Sequence, residues 1–419
     1  IGATTAMFSV VNGVLLRPLP YPEQDRLIEV VHEAPGIAVP ELFASPAIYF
    51  GYREHSQVFD AVGLWDWDSS PVTVTGRGEP QAVASLEVTH EVLKLLGGDP
   101  ILGRAFSEAD DLAGSAPTAI ISYGYWQRQF GGADALAQTL VVDGVARQVI
   151  GVLPPSFRFF DYAADVYYPL QPVRSTAAFP SFDGRAIARV HEGVTLAEAN
   201  ADVARMIRIL GEEYATPARF FEGTGFRPKL RWLKDTVLGD LGETLWLLMG
   251  TIGLLLLIAC ANVANLVLVR TQARRPELAI RSALGAGWAT IARVVLTESA
   301  ILGMAGGLAG LAIAYVSLPA LRSLGSRDLP HIMAVSIDPT VLLVTLGTAL
   351  TATALFALIP VLQHALPAAR LTGELRTAGR SITEGRVTSR TRQVLVVAQV
   401  ALALVLLVGS GLMIRSFQT

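Results

Sequence analysis

The chain has 419 residues, only 16% of them charged, and a formal net charge of −3 that hides an asymmetry. Residues 1–241 carry 19 Lys+Arg against 29 Asp+Glu, whereas residues 242–419 carry 14 against 7. An acidic front joined to a basic, apolar rear points to orientation in a membrane and away from nucleic-acid binding. The single cysteine, Cys260, excludes an internal disulfide, so any extramembrane domain must hold together by packing.

Ile1–Leu16 is uncharged and lacks both a preceding basic region and a small-residue cleavage site. It fits the end of a first transmembrane helix, completed by upstream residues, better than a signal peptide. The stretch 18–241 is of mixed polarity and reads as a folded domain. Within it, Ser122 stands where it can cap a short aromatic helix bearing Tyr125, Trp126 and Phe130. Asp143-Gly144 lies between Thr139–Val142 and Val145–Val152, both rich in β-branched residues, which predicts a hairpin with a two-residue turn. Pro154-Pro155 ends its second strand. Thr195 and Glu198 form a capping box ahead of Leu196, Ala199, Val203, Met206, Ile207 and Leu210 at helical spacing. With turns at Gly76–Pro80 and Gly97–Pro100, these signals predict an α+β domain of one or two lobes, without an internal repeat.

Four uncharged runs follow: Thr244–Val269, Ser299–Leu321, Thr340–Gln363 and Val394–Ile414. Each provides the roughly 20 residues that a helix needs to cross a bilayer core. Orientation follows from arginine, which accumulates in short cytoplasmic loops. The loop after the first run carries Arg270, Arg274, Arg275, Arg281 and Arg293 against Glu277. The loop after the third carries Arg370, Arg376, Arg380, Arg386, Arg390 and Arg392 against Glu374 and Glu384. The stretch from Arg322 to Asp338 balances two arginines with two aspartates. The first two loops are therefore expected inside and the third outside, and parity places 18–241 outside as well.

Catalytic motifs are sparse. No GxxxxGK[ST] phosphate loop precedes Lys94, Lys229 or Lys234, so the chain does not hydrolyse ATP through a P-loop. His90-Glu91 is not followed by a second histidine four residues on, and Gly409-Ser410-Gly411 lies in an apolar span and not at a strand–helix turn. Asp66/Asp68 and Asp110/Asp111 read as solvated loop charges. Trp65, Trp67, Phe159, Phe160, Tyr167 and Tyr168 read by default as aromatic core, with a hydrophobic binding site as the alternative.

Within the spans, Gly303 with Gly307 and Gly306 with Gly310 make two overlapping GxxxG spacings, which let helices approach closely. Asn262 and Asn265 can hydrogen-bond across helices, and Cys260 is a small packing residue. Glu298 sits at the edge of its span, with Arg293 as the nearest candidate partner and structural pairing as its expected role. Between the first two runs, Pro276 suits a first helical position and Gly285 a C-terminal cap. Glu277 and Arg281 form an i,i+4 pair, and Ile280, Ala283 and Leu284 give an apolar side. Such a short amphipathic helix can lie on the membrane surface or dock into another protein's groove.

The segment Leu254–Gly307, "LLLLIACANVANLVLVRTQARRPELAIRSALGAGWATIARVVLTESAILGMAGG", resembles the permease core of FtsX-like and MacB-like ABC transporters. "GATTAMFSVVNGVLLRPLPYP" (Gly2–Pro22) resembles the end of that family's first helix. "ISYGYWQRQFGG" (Ile121–Gly132) and "VVDGVARQVIGVLPPSFRF" (Val141–Phe159) resemble the MacB-type periplasmic domain. "SIDPTVLLVTLGTALTATALFALIP" (Ser336–Pro360) continues the likeness over nearly the whole chain.

The resemblance implies a membrane α-helical FtsX-like permease core carrying a large α+β MacB-like periplasmic domain. Its expected divisions are 1–17 for the end of helix one and 18–241 for the periplasmic domain. A core over 242–366 has spans near 244–269, 296–321 and 340–363, and a basic cytoplasmic linker covers 367–392. The segment 393–419 resembles the start of a second permease half, as in duplicated orphan permeases, which makes this chain a first half truncated at both ends. Pro276–Gly285 becomes the cytoplasmic coupling helix, driven by a separate ABC ATPase dimer that uses the ATP; the chain itself binds no cofactor, metal or nucleic acid and is not an enzyme. Other implied partners are membrane lipid, a second half or a homodimer partner, and a periplasmic adaptor. The implied location is the bacterial inner membrane, and the implied activity is mechanotransmission for export or extraction. The alternative is a regulatory or sensory protein that controls a periplasmic partner such as a cell-wall hydrolase.

Overall fold

A computed structural model describes residues 1–66, 71–75, 79–136, 138–160, 162–179, 181–239, 241–274, 288–325, 337–368 and 383–416. The first elements are α1 (Gly2–Val11), continued as a π-helical turn over Asn12–Leu16, then β1 (Leu27–Val30), β2 (His32–Ala34), β3 (Val39–Leu42), α2 (Pro46–His55) and β4 (Phe59–Asp66). Next come β5 (Val72–Thr75), β6 (Gln81–Val83), β7 (Ser85–Val88), α3 (His90–Leu95), β8 (Leu102–Gly103), β9 (Thr118–Ile121), α4 (Tyr123–Phe130), β10 (Thr139–Val142) and β11 (Val145–Val152). After them run β12 (Val166–Pro169), β13 (Gly184–Val190), α5 (Leu196–Glu213), α6 (Ala218–Thr224), β14 (Arg227–Pro228), β15 (Arg231–Trp232) and α7 (Leu233–Leu238). The long helices are α8 (Leu241–Ala273), α9 (Trp288–Gly325), α10 (Pro339–Ala368) and α11 (Thr383–Ser416). Two compact units result, one of Pro18–Gly239 and one of Ile1–Arg17 with Asp240–Thr419.

In the first unit, twelve strands share a sheet in the order β15-β1-β13-β4-β7-β12-β9-β11-β10-β5-β6, with β8 paired to β11. The pairs β7–β12 and β9–β11 are parallel. A small sheet orders β14-β2-β3. The hairpin at Asp143-Gly144 forms with Val142 opposite Val145, and both turn residues have positive φ, +45° and +81°. That pair of left-handed residues is what a tight hairpin turn matched to strand twist requires.

Side-chain alternation along the central strands explains why both faces of the sheet are covered. On β4 and β13, Val62, Leu64, Ala186, Ala188 and Val190 join one core, under α2 and α5. Trp65 and Ile187 point the other way, into a core shared with α3 and α7. A third core packs α4 against β9, β11, β10 and β5. The Ser122 hydroxyl accepts the Tyr125 N–H (3.0 Å) and starts α4. At α5, Thr195 Oγ1 accepts the Glu198 N–H (3.3 Å) while Glu198 Oε2 accepts the Thr195 N–H (2.8 Å). Ala199, Val203, Met206, Ile207 and Leu210 form its buried stripe.

In the second unit, Gly242–Arg270, Leu296–Pro319 and Gln393–Gly411 are long and apolar enough to cross a membrane, and Gly2–Leu16 and Pro339–Leu355 are shorter apolar helical stretches among the described residues. Helix α11 starts at Thr383, inside the stretch expected to be linker. Arg386, Arg390 and Arg392 are good helix formers, so the helix extends through them.

Candidate functional site

Glycine sets how closely the helices of the apolar unit approach. A Cβ on Gly303 would collide with Thr353 Oγ1, and one on Gly307 would stand 3.3 Å from the Ala349 Cβ; both contacts lie on α10. A Cβ on Gly310 would come within 2.8 Å of the Gly2 backbone nitrogen, and one on Gly306 within 3.7 Å of Ile1 Cδ1, at the head of α1. The two overlapping spacings on α9 therefore face two different neighbours. Buried hydroxyls of Thr5 and Thr345 share a 3.0 Å hydrogen bond between α1 and α10. Cys260 is buried with Ala264 and Ala352, where α8 meets α10. Asn262 is exposed, and Asn265 Oδ1 is buried without a hydrogen-bond partner among the described residues. The cross-helix bond expected of these asparagines is thus not made by that carbonyl.

Charged groups gather at the helix ends. Asp338 Oδ1 accepts the Val341 N–H (2.8 Å), capping α10, while its Oδ2 accepts from Asn12 Nδ2 (2.9 Å) and Arg17 Nη2 (2.7 Å). One carboxylate thus ties the start of α10 to the segment after α1. Sequence reasoning counted Asp338 only as a loop charge and gave Asn12 and Arg17 no role; the available signal was an Asp-Pro pair before an apolar run, a helix-start pattern. Leu15 Cδ2 stands 3.7 Å from where a Gly242 Cβ would be, so the segments entering and leaving Pro18–Gly239 run side by side.

At the other end of α8, roughly 50 Å away at 1.5 Å per residue, Arg274 Nη1 donates to Glu298 Oε1 (2.6 Å). The spacing argument favours Arg293 as the partner, and the structure corrects it. Five residues correspond to about 140° around a helix, which carries Arg293 off the Glu298 face. Pro276, Glu277, Ile280, Arg281, Ala283, Leu284 and Gly285 lie outside the described residues.

In the α+β unit, Asp110 and Asp111 are buried, not solvated loop charges. They sit in a short 3-10 turn that Ser107 caps and that aims both carboxylates inward. Asp110 takes two hydrogen bonds from Arg104 (2.7 and 2.9 Å) and one from the Ser107 N–H (2.8 Å). Burial opposes ionisation there, but these donors outweigh it and hold the carboxyl well below its usual range. Asp111 Oδ2 accepts the backbone N–H and the ring Nδ1–H of His90, both at 2.6 Å. Burial alone would lower the His90 pKa, yet the bonds to Asp111 and Glu91 outweigh it and raise it to about 9.

Glu54, His55 and Glu213 also converge, with possible ligand atoms within 4.8 Å of one another. Arg174 already bridges both carboxylates and supplies the positive charge a metal would bring. Of the six aromatics, Trp65, Phe159, Tyr167 and Tyr168 are core residues, Phe160 lines a cavity, and Trp67 is outside the described residues.

An α+β domain inserted between the first and second helices of an apolar bundle defines a membrane protein with one folded module. Residues 1–206 match the family described as MacB-like periplasmic core domain, and residues 249–365 match the FtsX-like permease C-terminal family. The pyoverdine export ATP-binding/permease protein PvdT of Pseudomonas syringae pv. tomato is 29% identical over 283 residues, covering 65% of this chain and 40% of that protein. The uncharacterized ABC transporter permease YknZ of Bacillus subtilis is 27% identical over 217 residues, 51% of each chain. The chain therefore spans 40% and 51% of the length of these curated relatives. The solved periplasmic region of MacB from Actinobacillus actinomycetemcomitans aligns over 56% of this chain and 97% of its own, at 12% identity and a TM-score of 0.38. The chain belongs to the FtsX/MacB-like ABC transporter permeases, with a MacB-like domain and an FtsX-like core.

Proposed function

We propose that this chain is the permease subunit of an ABC-type complex that works by mechanotransmission in a bacterial inner membrane. A separate cytoplasmic ATPase dimer docks on Pro276–Gly285 and uses the ATP, while this chain binds no cofactor of its own. The MacB-like domain stands in the periplasm, where an adaptor engages it. The bundle meets lipid on its outer faces and pairs with a second permease half or a second copy. The output is export or extraction of a substrate, a reading supported by the export function in the name of PvdT.

The observation that carries this reading is the path of α8. It starts beside Leu15, at the roots of the MacB-like domain, and ends at the Arg274–Glu298 pair, which joins the two helices flanking residues 275–287. A push on the connecting segment thus enters a helix whose other end leads directly into the domain. Co-purification in detergent is expected to recover the ATPase with the unaltered chain and to lose it with Ile280→Asp or Leu284→Asp. Undiminished binding to both variants rejects the docking assignment.

A further inference from the structure

Three local irregularities meet at one cavity of about 310 Å³ in the MacB-like domain. Its walls include Glu29 of β1, Trp65 of β4, Arg185 of β13, Phe160, and Thr236 and Val237 of α7. Trp65 is 2% exposed, and its indole N–H has no hydrogen-bond partner among the described residues. Phe160 holds a left-handed backbone (φ +49°), which is uncommon for a bulky side chain. Its N–H donates to the Tyr21 hydroxyl (3.1 Å), and its ring packs on Trp65 at 5.6 Å between centroids. Glu29 is a buried carboxylate, satisfied by Arg185 (2.9 Å), Arg231 (2.8 Å) and Thr236 Oγ1 (2.8 Å). The recess opens to solvent beside a strained backbone and a buried ion-pair network, and the buried indole N–H next to it is left unpartnered where buried donors are ordinarily satisfied. Departures from local rules that gather at one place mark functional sites.

We propose that this cavity binds a small planar aromatic molecule that carries one hydrogen-bonding group and no net charge. The volume is at the small end of ligand sites, and the pocket combines an apolar body with a few polar groups. Trp65 and Phe160 offer ring faces and edges, which favour a flat aromatic guest. Glu29 and Arg185 belong to a network with Arg231 and Glu41 that holds two charges of each sign, so a charged guest would lose water without gaining a free counterion. Thr236 Oγ1 gives its proton to Glu29 and keeps lone pairs for a donor on the guest. Helix α7, which lines one side of the cavity, is followed within a few residues by α8. This site is independent of the ATPase-docking proposal.

The test uses the full chain in nanodiscs with 5-fluoroindole as probe, observed by 19F NMR, and empty nanodiscs as the measure of lipid partition. Saturable broadening that unlabelled indole reverses is expected. Val237→Trp, which fills the cavity, is expected to weaken binding by about tenfold or more, with Val237→Phe intermediate and Leu112→Ala, at an exposed site, unchanged. Indole-3-acetate is expected to bind less tightly than indole. Signals no different from empty nanodiscs overturn the proposal, as do equal affinities across the Val237 series in variants with unaltered circular dichroism. Tighter binding of indole-3-acetate overturns the assigned charge.

Discussion

Two histidines of the MacB-like domain face opposite electrostatic outcomes, and the difference sets a pH dependence. His90, between Asp111 and Glu91, has its pKa raised to about 9, above the ordinary 6.5. Its contribution to stability is complete below about 6.5 and is lost as pH rises through about 9. His32 is the mirror case: burial lowers its pKa to about 4, so it stays neutral beside Tyr52. Folding then loses stability as pH falls from about 6.5 towards about 4. Melting temperatures measured across this range should show a steeper alkaline decline in the unaltered chain than in His90→Gln, and a steeper acid decline than in His32→Gln. Parallel curves would contradict both assignments. Neither behaviour was legible in the sequence, nor was the burial of Asp110 and Asp111. Each depends on which residues distant in the chain close over it, whereas the packing role of Cys260, set by its own apolar run, could be read directly.

Elements whose signals are local were legible. The Asp143-Gly144 hairpin and the α5 capping box involve residues within a few positions of one another, and the structure forms both as expected. Thr195→Ala is expected to cost about 1 kcal/mol, measured by chemical denaturation, because one orphan N–H of α5 loses its acceptor. Sheet order was not legible, since β1 pairs with β13 across most of the domain and no local pattern specifies that partner. The glycine spacings on α9 were readable as close packing, but which neighbour each faces was not. That assignment predicts a graded series. Gly306→Ala meets a side chain at ordinary contact distance and should be neutral. Gly310→Ala presses on the α1 backbone, which cannot rotate aside, and should cost about 1–3 kcal/mol. Thermal melts in detergent with the two effects reversed would refute the packing described.

For the whole molecule, hydropathy marked the apolar stretches that the structure forms as long helices, because bilayer thickness acts on long stretches rather than on single contacts. The resemblance supplied the family, and the family matches support it. What only the coordinates supply is that the two roots of the MacB-like domain lie together, at Leu15 and Gly242. If motion of the bundle drives the domain, joining those roots should block transport. In Leu15→Cys/Gly242→Cys, a short bis-maleimide should abolish substrate movement while ATP turnover by the complex persists, and each single variant should be unaffected. The pair is made in a Cys260→Ala background, because Leu15 is as buried as Cys260 and burial does not set the two thiols apart. Full transport after cross-linking would show that the roots need not separate. The two flanks of α9 carry one more implication, readable from sequences alone. Among relatives, added bulk at position 303 or 307 should be matched by a smaller residue at 353 or 349, whereas bulk at 310 should coincide with altered residues at 1 or 2. The helix would then record two separate co-evolutionary histories, interleaved along a single stretch of chain.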